Sequence, residues 1–396
     1  MVESYENLGL RIHWLAMTVT HMLGIACVVI LVYLLFGRGT FWRITIRREP
    51  TSQIKKIIAI IPARNEAEVI GHAVASLLNQ TGVDLRVVIV DDNSMDSTAE
   101  VARQASAAAQ DRVIILPGSP LPVGWSGKLW AVQQGIGYAQ HLHADYLLLT
   151  DADIQHLPYN VAALVAIAEA GSYDLASYMV KLECKSWAER LLIPPFVYFF
   201  LQLYPPKWIR DPRAKTAGAA GGCILIRPDA LDRAGGLKSI RHEVIDDCAL
   251  AREVKRSGGR LWLGLTDSAV SIRPYQSWSA IERMIARSAF NQLGHSPLLL
   301  IVAILGLLLT YVAPVALLFA PPPWLGIAAL VLMIISYLPM IRYYRLSPLW
   351  TVTLPLAAVF YMVATLDSAF RYWTGRGGEW KGRSQDIKSA REAAHD

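Results

Sequence analysis

Cysteine is scarce and unpatterned. The four present, Cys27, Cys184, Cys223 and Cys248, show no C-x-x-C or other metal-ligand spacing, so neither a zinc module nor a disulfide framework is indicated. They fit reduced, partly buried thiols in a cytosolic domain. Charge is sparse as well. Charged residues make up 18% of the chain against 54% hydrophobic, a balance too apolar for an ordinary soluble protein and one that predicts membrane segments. No nucleic-acid motif and no ladder of basic and aromatic residues is present. The net charge of +6 is therefore assigned to lipid headgroups and phosphorylated ligands rather than to nucleic acid. A small-residue cleavage site is missing after the first apolar run, which disfavours a removable signal peptide.

Long apolar runs take the place of charge. Trp14 to Phe36 is long enough to cross a bilayer as one helix. Glu3 and Glu6 precede it, and Arg38, Arg43, Arg47, Arg48, Lys55 and Lys56 follow it. That asymmetry predicts a signal anchor with the N-terminus outside and the next domain in the cytoplasm. After Pro297, Leu298 to Phe319 and Leu325 to Ile341 form a hairpin around Pro321-Pro322-Pro323, with Arg342 and Arg345 on the return side. A third stretch, Leu349 to Phe370, is interrupted by Pro355 and carries Asp367. The tail contains Arg371, Arg376, Lys381, Arg383 and Lys388, and its charge prefers the cytoplasm. Three full crossings would put that tail outside, so either the third stretch is interfacial or re-entrant or the charge rule fails here. The 396 residues have room for about two or three domains. They divide into an anchor and basic linker (1–54), a cytoplasmic α/β domain (55–296) and C-terminal apolar helices with a basic tail (297–396). The implied location is a bacterial-type inner (plasma) membrane, crossed several times.

Between the apolar regions, short apolar runs alternate with helical patterns. Strands are expected at Ile57 to Ile61, Val87 to Val90, Val113 to Leu116, Tyr146 to Thr150, Leu175 to Leu182 and Cys223 to Ile226. Helices are expected at Glu68 to Leu78, Lys128 to His141 and Tyr159 to Ala170, with Asp96 and Ser97 able to cap another. Alternation of this kind argues for a parallel, Rossmann-like sheet, whose ligands sit beyond the carboxyl ends of the strands. Leu191 to Ile209 is strongly apolar but broken by Pro194, Pro195, Pro205 and Pro206. It reads as an interfacial segment, or else as a kinked buried helix.

Acidic residues collect at the strand ends: Asn65 and Glu66 after the first, Asp91 and Asp92 after the second, Asp151 and Asp153 after the fourth. One such cluster is often only a turn; three on one edge are harder to dismiss. On an extended chain Asp151 and Asp153 point the same way and could grip one hard cation, Mg²⁺ or Mn²⁺, completed by substrate phosphates.

The ordered set Pro62-Ala-Arg-Asn-Glu66, Asp91-Asp92-Asn-Ser, Gly127-Lys128-x-x-Ala131, Asp151-Ala-Asp153 and Asp246-Asp247-x-x-Leu250 resembles the inverting glycosyltransferases of family 2, with the GT-A nucleotide-sugar fold. The resemblance covers residues 55 to 290. The run from Thr216 to Gly222, the Asp246-Asp247 turn and Arg287-Ser-Ala-Phe-Asn-Gln-Leu293 look most like the membrane-bound hopanoid-biosynthesis-associated members. Processive polysaccharide synthases carry a Q/R-x-x-R-W motif. Here Met284 stands three before Arg287 and Ser288 replaces the tryptophan, which argues against polymerisation.

The resemblance implies a set of roles. Pro62, Asn65 and Glu66 line the nucleotide pocket, and Asp91 or Asp92 accepts from uracil or ribose. Lys128, at a helix start, and Arg287 face the diphosphate. Asp151 contacts ribose or metal, and Asp153 holds a divalent cation, Mg or Mn. Asp247 is the general base, preceded by Asp246; at a helix start its pKa is expected to be held down. The implied reaction is inverting transfer from a UDP-linked nucleotide sugar to a membrane lipid. Two rivals stay open: a polyprenyl-phosphate acceptor, and a silent nucleotide-binding membrane scaffold. No nucleic acid is expected as a partner.

Overall fold

The computed structural model describes residues 2–47, 53–375, 379–380 and 383–384. Among them are two compact units: a helical one from Met1–Ile44, Cys184–Pro205 and Gln276–Phe370, and an α/β one from Thr45–Glu183, Pro206–Tyr275 and Arg371–Asp396. Arg48 of the linker and Arg376, Lys381 and Lys388 of the tail lie outside the described residues.

In the α/β unit eight strands form one sheet. They are β1 (Lys56–Ala63), β2 (Asp84–Asp91), β3 (Val113–Pro117), β4 (Tyr146–Thr150), β5 (Ile154–His156), β6 (Leu175–Lys181), β7 (Cys223–Ile226) and β8 (Leu261–Ser271), in the order β3-β2-β1-β4-β7-β6-β8-β5. The first four strands of that order are parallel. Beyond β4 the parallel expectation holds for β6 with β8 and fails for two strands. β7 runs antiparallel to β4 and β6, and β5 antiparallel to β8. A buried strand has the same residue pattern in either direction, so nothing in Cys223–Ile226 marks its orientation. The result is a mixed α/β sheet.

Alternate residues of β1 serve opposite faces. Ile57, Ala59 and Ile61 join Val74 and Leu77 of the helix Ile70–Leu78 and Leu164 of the helix Asn160–Gly171 in one core. On the other face, Ile60 meets the helix Gly127–Ala139. A Cβ on Gly135 would lie 2.5 Å from Ile60 Cγ2, so the glycine permits the close seating that holds this helix against the sheet.

The helical unit holds four segments long and apolar enough to cross a membrane: His13–Gly37, Pro297–Phe319, Pro323–Tyr343 and Pro348–Trp373. Leu15, Met22, Phe36, Leu298, Phe319 and Leu349 on them are exposed, and four such helices point to membrane association. Pro355 does not break the last one. It stands in the first turn of the helix Leu354–Trp373, where a proline removes no intrahelical bond. The proline-rich segment contains the helix Trp187–Leu203, started by a Ser186–Glu189 capping box. Leu192, Ile193, Val197 and Tyr198 on it are buried, and Tyr198 shares a hydrogen bond with Ser336 at 2.8 Å. Within its unit this helix is therefore a buried one.

Candidate active site

Four pieces distant in sequence meet at one cleft: the end of β4, the start of the Gly127 helix, the loop before β7 and the start of the helix Asp246–Arg256. Ser126 caps the Gly127 helix by accepting from the Leu129 N–H at 3.4 Å, which places Lys128 in its first turn. Lys128 Nζ lies 2.9 Å from Asp151 Oδ1 and 3.3 Å from Asp246 Oδ2. Burial pulls the lysine pKa down, but Asp151, Asp246 and Asp247 more than reverse this and raise it. Lys128 is a permanent cation here. The Asp151 carboxyl is pushed up by burial and by Asp153, against Lys128.

Asp247 is held by two backbone donors. Gly221 N–H donates to Oδ2 at 2.8 Å and Cys248 N–H to Oδ1 at 2.7 Å. Its pKa is nevertheless raised, to about 6, by burial first and by Asp246 second, against Lys128 and the two N–H groups. The expectation from its place at a helix start was the opposite. Burial and a neighbouring like charge outweigh the helix terminus. The cleft is open to solvent, and Pro62, Leu129, Thr150 and Ile224 are among its other walls.

A second cluster involves Arg273, just past β8. Its Nη2 is 2.5 Å from Glu66 Oε2 and its Nε 3.2 Å from Asp153 Oδ2, which also accepts from Ser271 Oγ at 2.9 Å. Burial lowers the Arg273 pKa, but Asp153 and Glu66 raise it overall. Asp151 and Asp153 thus have separate cationic partners. They do not project from an extended chain, because β4 stops at Thr150 and the Ile154 N–H closes a turn on the Asp151 carbonyl at 3.3 Å. Among the described residues no three His, Cys, Asp or Glu side chains gather as a metal-ligand set.

The remaining candidates shape the loop after β2. Asn65, at φ 52°, accepts from Met95 N–H at 2.8 Å and gives its own N–H to Ser94 Oγ at 3.0 Å. Asp91 Oδ1 accepts from Ser94 N–H at 3.1 Å and is half-buried. Asp92 is 0% exposed and lies 3.7 Å from Arg64. Its carboxylate is buried, whereas that of Asp91 is only half-buried. Arg287 is exposed at the end of the helix Trp278–Ala286, in the helical unit. Gly221, which falls in the Thr216 to Gly222 run, and Arg273, which no motif singles out, contact the candidate residues Asp247, Glu66 and Asp153. Their signals in the sequence were the Gly221-Gly222 pair before an apolar run and the strand Leu261–Ser271 directly preceding Arg273.

Residues 58–235 match the family described as Glycosyl transferase family 2. They form a glycosyltransferase family 2 domain. The domain contains Pro62, Lys128, Asp151, Asp153 and Gly221, whereas Asp246, Asp247 and Arg273 follow the matched segment. A 4,4'-diaponeurosporenoate glycosyltransferase of Staphylococcus aureus (strain bovine RF122 / ET3-1) is 37% identical over 103 residues, 26% of this chain and 25% of the relative. The same-named enzyme of strain USA300 matches at 37% over 103 residues. The similarity spans about a quarter of the length of these curated relatives. Among solved structures, the mannosyltransferase PcManGT from Pyrobaculum calidifontis, in complex with GDP-Man and Mn²⁺, is similar with a TM-score of 0.54 at 19% identity. The match covers 87% of this chain and 99% of the other. The family 2 domain shares a GT-A-like fold with it.

Proposed function

We propose that the chain is an inverting glycosyltransferase that moves a sugar from a UDP-linked donor to a membrane lipid, with Asp247 as general base. The observation that carries the reading is the convergence on one cleft of Lys128 and Asp151, inside the family 2 match, with Asp246 and Asp247, which follow it. Lys128 and the helix start behind it receive the diphosphate. Pro62, Asn65, Glu66 and Asp91 border the nucleoside. Arg287 is a further diphosphate contact on the strength of the sequence resemblance.

Asp151 and Asp153 fit a divalent cation of the Mg²⁺ or Mn²⁺ kind. Such an ion needs only one or two carboxylates, the rest of its shell coming from phosphates and water. Held by Asp151 and Asp153, such a cation would supply positive charge to offset that of the departing nucleoside diphosphate.

Asp247 accepts the acceptor hydroxyl proton as the new C–O bond forms and the bond to the diphosphate breaks on the opposite face. A carboxyl raised to about 6 suits a general base, being ionised at neutral pH yet more basic than a free aspartate. The two backbone N–H groups orient it.

A lipid acceptor is supported by the four apolar helices and by the 4,4'-diaponeurosporenoate named for the Staphylococcus aureus relative. The narrower choice, a hopanoid-related acceptor, rests on Thr216 to Gly222, Asp246-Asp247 and Arg287 to Leu293. The basic residues after the first apolar helix support a cytoplasmic catalytic domain on an inner membrane. Product analysis tests the reading. Membranes would be offered a hopanoid alcohol or a polyprenyl phosphate, and the anomeric configuration of the glycolipid read by NMR. Inversion on the hydroxyl acceptor is expected. Retention, or product from the polyprenyl phosphate alone, contradicts it, and a scaffold gives no product at all.

A further inference from the structure

We infer that Thr150 and His156 position the Asp247 carboxylate through the Gly221-Gly222 backbone. The inference rests on the reading of Asp247 as the base. A chain of buried hydrogen bonds with one consistent direction supports it. Ser268 Oγ donates to Asn160 Oδ1 at 2.6 Å, which turns the Asn160 amide nitrogen toward His156 Nδ1 at 2.9 Å. Nδ1 therefore accepts, and the ring proton sits on Nε2, 3.1 Å from Thr150 Oγ1. The Thr150 hydroxyl is left to donate to the Gly222 carbonyl at 2.8 Å. One residue earlier, the Gly221 N–H donates to Asp247 Oδ2.

Thr150, His156, Asn160 and Ser268 are all buried, where an unmatched polar group is costly. Burial holds the His156 pKa down at about 4, so the ring is neutral at working pH and the order of donors is preserved.

The glycine pair explains why a tie is needed. A Cβ on Gly221 would meet Asp247 Oδ2 at 3.4 Å and Lys128 Nζ at 3.5 Å, and one on Gly222 would meet Val180 Cγ2 at 2.9 Å. Space is therefore tight at Gly222, against Val180, while a Cβ on Gly221 would make only ordinary contacts. Two glycines in series are conformationally free unless fixed from outside. Ser177 fixes the residue before them, its Oγ accepting from Ala220 N–H at 2.9 Å. Thr150 fixes the second glycine itself, through the Gly222 carbonyl.

Hydrogen exchange of the full chain, read by mass spectrometry over residues 218–226, tests the inference beside steady-state transfer. Thr150→Val is expected to speed exchange of the Gly221 amide and lower kcat, each about ten-fold. Donor KM stays within about two-fold, and Thr150→Ser, which keeps the hydroxyl, restores both readings. Should Thr150→Val not fold, Thr150→Ala is read in the same way. Unchanged exchange at Gly221, unchanged kcat, or a serine variant no better than valine overturns the inference. If the wild type transfers no sugar, the base reading fails by itself. Exchange at Gly221 in these variants still decides whether Thr150 holds the loop.

Discussion

The Gly221 N–H and Asp247 Oδ2 meet at 2.8 Å, and this contact aims a carboxylate that Asp246 crowds from the adjacent position. Gly221→Ala adds a Cβ at ordinary contact distance from Asp247 and Lys128 and is expected to leave turnover within about three-fold. Gly221→Val branches into both side chains, and kcat should fall at least about ten-fold. Steady-state assays of the two variants check this. Equal activity would show that the loop does not crowd the base.

The raised pKa of Asp247 fixes the direction of the pH response. Its carboxyl is pushed up to about 6 by burial and then by Asp246, and only the ionised form accepts a proton. kcat/KM should hold near neutrality and fall about ten-fold per unit as pH drops through about 6. Asp246→Asn removes the like charge while Lys128 remains, so the acid limb should move to lower pH. A limb that stays in place in this variant contradicts the assignment.

Lys128 is the shared counter-ion of Asp151 and Asp246, at 2.9 and 3.3 Å. Lys128→Met should weaken UDP binding, measured by calorimetry, about ten-fold or more. It should also move the acid limb of kcat/KM upward, because a charge that favours ionised Asp247 is lost. Unaltered UDP affinity would place the diphosphate elsewhere.

Arg273 joins Glu66 to Asp153. Arg273→Gln leaves both carboxylates without that guanidinium and should cost about 1–2 kcal/mol of stability. Added Mn²⁺ should recover part of the loss, since a cation at Asp153 stabilises the folded form by mass action. Thermal melts with and without the metal measure it. A loss that metal does not reduce would separate Asp153 from cation binding.

The parts of the fold that were legible in the sequence are those whose pattern depends on local chemistry. The runs Ile57–Ile61, Val87–Val90 and Tyr146–Thr150 are strands with their acidic ends on one edge, as expected, and Cys223–Ile226 matches to the residue. The direction of β7 was not legible, because apolar runs carry no polarity. β8 was missed because Gly264, Thr266 and Asp267 break its apolar run, and Arg273 was missed with it. Burial is a tertiary property, so neither the enclosure of Asp92 nor the raised pKa of Asp247 could be read from position alone. Pro355 looked like a break because the start of its helix was not visible in so apolar a stretch.

The central claim is metal-dependent transfer of a sugar to lipid through Asp247. Its most direct test is radiolabel transfer from a panel of nucleotide sugars into the organic-soluble lipids of membranes containing the protein. Each donor is run with Mn²⁺ or Mg²⁺ and with EDTA, beside Asp153→Ala and Asp247→Asn. Labelled lipid should form from one class of donor, vanish with EDTA or Asp153→Ala, and fall at least about a hundred-fold in Asp247→Asn. Label that persists undiminished in Asp247→Asn, or no label from any donor while UDP still binds, contradicts the account.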